Sequence, residues 1–162
     1  MIVVSDTSPI INLAIIGSLD LLPQIFGKII IPGNVFDEIA VQGADMPGAD
    51  VIRKAKWVEV RHFQDEEFFL ALRHLVDPGE AEAIVIALEI EADLLLIDER
   101  IGRRLAKDYD LPILGLLGVL RIAKQKGYID AVKPLMDKLI KDAGFRISQD
   151  LYHEVLEAER EL

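Results

Sequence analysis

The opening run Met1–Asn12 constrains the rest of the chain. Ile2-Val3-Val4 is a short β-branched apolar run, the mark of a strand buried on both faces of a parallel sheet. It ends at Asp6, and Ser8-Pro9 then opens an apolar helix, with Ser8 as its N-cap and Pro9 at its first position. An acidic side chain thus stands where a strand gives way to a helix. Open α/β sheets bind ligands at that carboxyl edge. Asp6 equally suits a plain capping role, and this stretch alone leaves both readings open.

Two further apolar runs, Lys28–Ile31 and Leu94–Ile97, read as buried strands, and Trp57–Val60 alternates as a strand nearer the sheet edge does. Pro112–Leu114 is a short fifth strand. Helical patterns fall between them: Pro9–Ile16, Leu19–Ile25, Val35–Val41 capped by Asn34, Ala49–Lys56, Asp65–Leu75, Glu80–Glu91, Arg100–Lys107 and Gly118–Lys126. Strands alternating with helices predict an α/β fold with a parallel sheet and right-handed connections. At 162 residues, one domain over 1–162 is expected, with 129–162 as a helical C-terminal extension. In that extension Pro134 starts a helix, Gly144 stops it and Ser148 caps the next. Its apolar set Val132, Leu135, Met136, Leu139 and Ile140 exceeds what a sheet sandwich must cover, which predicts a homo-oligomer, most simply a dimer.

The chain has no cysteine, which removes disulfides and thiolate sites and fits a cytoplasmic protein. The N-terminal apolar run is too short for a signal segment, and no run approaches a membrane span. A formal charge of −10 argues against a protein that simply coats nucleic acid. The charge is also segregated. Between Arg73 and Arg100 there is no Lys or Arg, yet Asp77, Glu80, Glu82, Glu89, Glu91, Asp93, Asp98 and Glu99 fall there. From Arg100 to Arg146 eleven Lys/Arg face five Asp/Glu. An acidic centre beside a basic segment suits a cation site flanked by a phosphate-binding face, and a solvated charge pattern would look the same.

Helical phase selects which carboxylates converge. Glu38 is three residues from Val35 and adjacent to Ile39, so it borders the buried stripe, whereas Asp37 should face solvent. Glu80 shares a face with Ala83, Ile84 and Ala87 and lies in a first turn, where its charge also favours the helix dipole. Glu82 falls on the other side with Ile86 and Glu89. Asp98 ends a buried strand as Asp6 does, and Glu99 either adds a ligand or caps the next helix. Oxygen donors without Cys or spaced His (His62, His74 and His153 share no ligand pattern) point to a hard cation, Mg²⁺ or Mn²⁺. Arg100, Arg103, Arg104 and Lys107 recur on one helix face beginning beside Asp98, and the arginines are candidate RNA phosphate contacts.

The order Asp6-Thr-Ser, Glu38, Glu80, Asp98 resembles a PIN-domain nuclease. The stretches SDTSPIINL, GEAEAIVIA, LLIDERIGRRLA and GLLGVLRIAKQKG are similar to a prokaryotic branch related to the toxin ribonucleases of toxin–antitoxin pairs. The resemblance covers roughly residues 1 to 129. It implies a three-layer α/β/α sandwich around the sheet and Mg²⁺- or Mn²⁺-dependent hydrolysis of RNA. It also implies Asp6, Glu38, Glu80 and Asp98 as the catalytic, metal-holding set, with Ser8 as the supporting hydroxyl and a small antitoxin-like protein as a partner. Glu80 stands where many PIN nucleases carry Asp. The alternative reading is a PIN-like module of weak activity that acts through a protein partner. A phosphatase with Asp6 as nucleophile lacks the second Asp, since Ser8 occupies its place. Ser8 has no elbow-glycine pattern around it, and no Gly-rich nucleotide loop is present.

Overall fold

Alternation along the strands dictates the layers. In the computed structural model, which describes residues 1–162, five strands pair all in parallel: β1 (Val3–Ser5), β2 (Ile29–Pro32), β3 (Val58–Arg61), β4 (Leu94–Leu96) and β5 (Ile113–Leu114). Val3, Ile29, Ile31 and Leu96 point to one face and enter one core cluster, while Val4, Ile30 and Leu95 point to the other and enter a second. Successive side chains leave a strand on opposite faces, so a sheet apolar on both must be covered on both. The expected parallel α/β sandwich is what forms.

The first face is covered by α1 (Thr7–Ile15), α2 (Leu21–Phe26), α8 (Leu116–Gln125), α9 (Lys133–Asp142) and α10 (Gln149–Ala158). The second carries α5 (Glu66–Leu72), α6 (Pro78–Glu89) and α7 (Arg100–Asp108). The remaining helices are α3 (Gly33–Phe36), continued by a π-helical turn over Asp37–Gln42, and α4 (Ala49–Lys54). No helix is long and apolar enough to cross a membrane.

Strand order β3-β2-β1-β4-β5 puts β1 at the centre, with the chain stepping outward to β2 and β3 before crossing back to β4. The carboxyl ends of β1 and β4 therefore flank the point where the winding reverses, the crevice in which open sheets hold ligands. Register aligns Ser5 with Leu96, and the Asp6 N–H donates to Leu96 O at 3.0 Å, so Asp6 and Asp98 leave the sheet side by side.

Several local expectations change. Helix α1 begins at Thr7, so Ser8 lies inside it and Asp6 takes the N-cap position, its side chain making no capping bond. Ser8 Oγ instead accepts from Asn12 Nδ2 at 3.2 Å. Asn34 is not a cap either. Its backbone N–H and its amide both donate to Glu82, which carries α3 against α6. The C-terminal extension is part of the main core: Val132, Met136, Leu139, Val155 and Leu156 are buried with Ile10 and Leu13 of α1. The apolar set that suggested self-association is thus mostly covered by the chain itself, with only Ile140 well exposed. Ser148 caps α10 through Leu151 N–H, and Glu161 accepts from the N–H groups of Val132 and Lys133.

Candidate active site

Four polar side chains are buried in the whole chain, Ser5, Asp6, Glu80 and Glu82, and two of them open onto one cleft. The cleft, about 1070 Å³, is lined by Asp6, Ser8, Glu38, Asp77, Glu80, Asp98 and Glu99. The four carboxylates singled out from sequence therefore share one cavity at the switch point. No two helices or strands supply the same one.

Each is held by its local structure. Asp6 ends β1 and is only 3% exposed. Glu80 belongs to a capping box at the start of α6: Asp77 Oδ1 accepts the Glu80 N–H at 2.8 Å, and Glu80 Oε2 accepts the Asp77 N–H at 3.2 Å. That reciprocal pair satisfies two orphan donors of the helix end and fixes the direction of the Glu80 carboxyl. Asp98 Oδ1 accepts the Leu116 N–H at the start of α8 at 3.0 Å, while its buried Oδ2 has no partner. Gly115 leaves room for this, since a Cβ there would stand 2.7 Å from Asp98 Oδ1 and 2.9 Å from Arg103 Nη1.

Glu38 sits on the π-helical turn, where Gly43 N–H reaches back five residues to the Glu38 carbonyl. The wider turn alters the phase assumed from a regular helix, yet Asp37 is exposed and Glu38 half-buried. The Glu38 carboxylate lies against the first turn of α6, where a Cβ on Gly79 would come within 2.8 Å of Oε1. Insertions of this kind concentrate at functional sites.

The electrostatics are those of crowded acids without counter-ions. None of Asp6, Glu38, Glu80 or Asp98 forms a salt bridge. Burial raises Asp6 to about 7, with Asp77, Glu38 and Asp98 pushing the same way against the Thr7 N–H. Burial and then the charges of Asp6 and Asp77 raise Glu80 to about 8. Glu38 is raised by burial and Asp77, partly offset by the nearby Thr7 hydroxyl, which does not reach full hydrogen-bond geometry. Asp98 is raised by burial, against the Leu116 N–H and the Arg103 charge. A desolvated carboxylate in an acidic neighbourhood holds its proton or awaits a cation.

The donor set fits a hard divalent cation: oxygen ligands only, and an unpartnered buried oxygen on Asp98. No three acidic or histidine groups stand close enough to form a ready-made cage. The histidines stay out of the cleft, and His62 packs over Gly33.

Four placements go beyond the sequence reading. Asp77, read from sequence only as one of the acids between Arg73 and Arg100, lines the cleft and bears on three of the acids singled out. Its signal was the Asp-x-x-Glu spacing of a capping box. Glu99, left between ligand and cap, accepts the Gly102 N–H at 2.7 Å and caps α7, while still lining the cleft. Arg103 is half-buried and donates to Ile97 O at 2.8 Å beside Asp98, whereas Arg100 and Arg104 are exposed and unpaired. The far wall of the cleft comes from residues 143–146 of the C-terminal extension.

Comparison with known families finds one match, to a family described as a PIN domain, over residues 2–161. No curated protein matches the chain.

Proposed function

Because the chain belongs to the PIN-domain family, whose members are typically nucleases and usually bind divalent metals, we propose that it is an Mg²⁺- or Mn²⁺-dependent endoribonuclease. The observation that carries this reading is the set of buried, uncompensated carboxylates meeting at the switch point of the sheet. Asp6, Glu38, Glu80 and Asp98 would hold the cation, with Glu99 at its margin. A bound Mg²⁺ or Mn²⁺ supplies Lewis-acid stabilisation of the phosphodiester and a water acidic enough to attack near neutral pH.

The protein's own contribution is positional. The Leu116 N–H orients Asp98, the Arg103 guanidinium, held by the Ile97 carbonyl, places a positive charge nearby, and the capping box orients Glu80. In the metal-free cleft Glu80, raised to about 8, keeps its proton at neutral pH, and it would give that proton up on taking a cation. Arg100 and Arg104 on the exposed face of α7 offer guanidinium groups to flanking phosphates, which a chain of charge −10 needs locally. Ser8 lines the cleft with its hydroxyl bonded to Asn12, and a supporting role for it rests on the resemblance. A toxin role with a small antitoxin-like partner extends the proposal on the strength of the resemblance alone, and a cytoplasmic location on the absence of cysteine.

The test is cleavage of a generic single-stranded RNA by the wild-type chain in Mn²⁺, beside Asp98→Asn. Cleavage that EDTA stops and that the folded variant loses supports the reading. A variant with full activity refutes the site, and a folded wild-type chain that binds the metal without cutting RNA favours the partner-dependent module.

A further inference from the structure

Beside the acidic cleft lies a second cavity of about 400 Å³, and the two share Asp98, Phe145 and Arg146. Its lining is largely apolar, from Ile113, Leu114, Leu117 and Leu151 as well as Phe145. Phe145 packs against the core and is half-buried, so its ring is held in place while still lining both cavities. Arg146 is exposed and has neither a salt bridge nor a side-chain hydrogen bond. Leu151 keeps 40% of its surface exposed at the edge. This volume sits at the small end of ligand pockets, right for one planar ring system.

An anchored aromatic ring, an apolar floor and a free guanidinium are the elements that hold an unstacked base and its phosphate. Here they adjoin Asp98 and not a remote surface. We propose that this cavity is a nucleobase subsite, taking one base of single-stranded RNA against Phe145 while Arg146 meets the flanking phosphate. The inference rests on the ribonuclease reading and narrows its substrate class. A base must leave its stack to enter, so duplex RNA is disfavoured. The C-terminal extension, through residues 145 and 146, then serves the substrate directly.

The experiment compares the affinity of a ten-nucleotide oligouridine with that of an abasic chain of equal length and charge. It is run in Mn²⁺ on the Asp6→Asn background, which leaves the second cavity untouched. Phosphate contacts cancel in the ratio of the two affinities. The oligouridine should bind about fivefold or more tightly, as stacking on one aromatic side chain supplies. Phe145→Ala should bring the ratio close to one while the abasic affinity holds. Phe145→Leu, which keeps apolar volume against the core, should do the same, guarding against loss of fold.

A ratio near one before any change at Phe145, or a ratio that survives both substitutions, overturns the subsite. So does failure of the oligouridine to bind. Cleavage of oligouridine by the wild-type chain in Mn²⁺ judges the ribonuclease reading separately, so the two can fail independently.

Discussion

Asp6→Asn should make the metal-free protein much more stable at pH 8 and only modestly more stable at pH 5. Asp6 has its proton affinity raised from 3.8 to about 7 on folding. Between those values the native state binds more protons than the unfolded state, so the free energy of unfolding falls as pH rises. The stability is intact below the unfolded value and is lost by the time the folded value is passed. At about 1.4 kcal/mol per unit the full loss is roughly 4 kcal/mol. Most of it, about 3 kcal/mol, falls between pH 5 and pH 8. Asparagine carries no charge at any pH and also removes one of the charges raising Glu80.

For a chain of this length the full loss corresponds to a melting temperature about 8–16 °C higher for the variant at pH 8 in EDTA. Thermal melts by circular dichroism at the two pH values measure it. Adding Mn²⁺ at pH 8 should raise the wild-type midpoint far more than the variant's, by mass action on the native state. Parallel pH profiles for the two proteins, or a variant less stable at pH 8, would refute the claim that Asp6 is an uncompensated buried acid.

Glu82→Gln should cost stability, about 1–3 kcal/mol in urea unfolding, because the buried carboxylate accepts two bonds from Asn34 and glutamine offers one oxygen in place of two. Glu80→Gln should instead impair metal-dependent cleavage with little loss of stability, and the two variants compared by activity and unfolding separate their roles. Arg104→Ala should lower the slope of log K against log salt for single-stranded RNA by about 0.7 with the fold unchanged. Arg103→Ala should chiefly disturb Asp98 and reduce cleavage even where RNA binding persists.

Sheet and layers were legible because apolar strand runs and helical stretches alternate along the whole chain, and Ile29–Ile31 needs both faces covered whatever its neighbours do. The acids at strand ends were legible for the same reason: once Val4 and Leu95 are buried, Asp6 and Asp98 must emerge at one edge. Phase arguments did less well in the helices. Helix α6 is buried on every side from Gly79 to Ala87, so no polar face existed from which to tell Glu80 from Glu82. Glu82 is buried as deeply as Glu80 and is spent on Asn34, a bond that links residues 48 apart and has no sequence signature. The same holds for Arg103, whose four-residue helical neighbourhood says nothing of the Ile97 carbonyl behind it. The wall at residues 143–146 was invisible because its meaning depends on how α9 and α10 fold back onto α1.

The backbone at two helix starts has a consequence for whatever enters the cleft. Glu80 gives Oε2 to the Asp77 N–H and keeps Oε1 free of protein partners, and Asp98 gives Oδ1 to the Leu116 N–H and keeps Oδ2. Each acid is tethered by one oxygen and has no protein partner on the other, so neither side chain can turn without breaking a bond to a helix start. An incoming cation would meet carboxylates already fixed in direction, with little rotamer freedom left to freeze. The bearings are written in main-chain amides, which side-chain substitution cannot remove. Drift at these positions is therefore confined to residues that still reach the amide, and a new ligand geometry would require a helix to begin somewhere else.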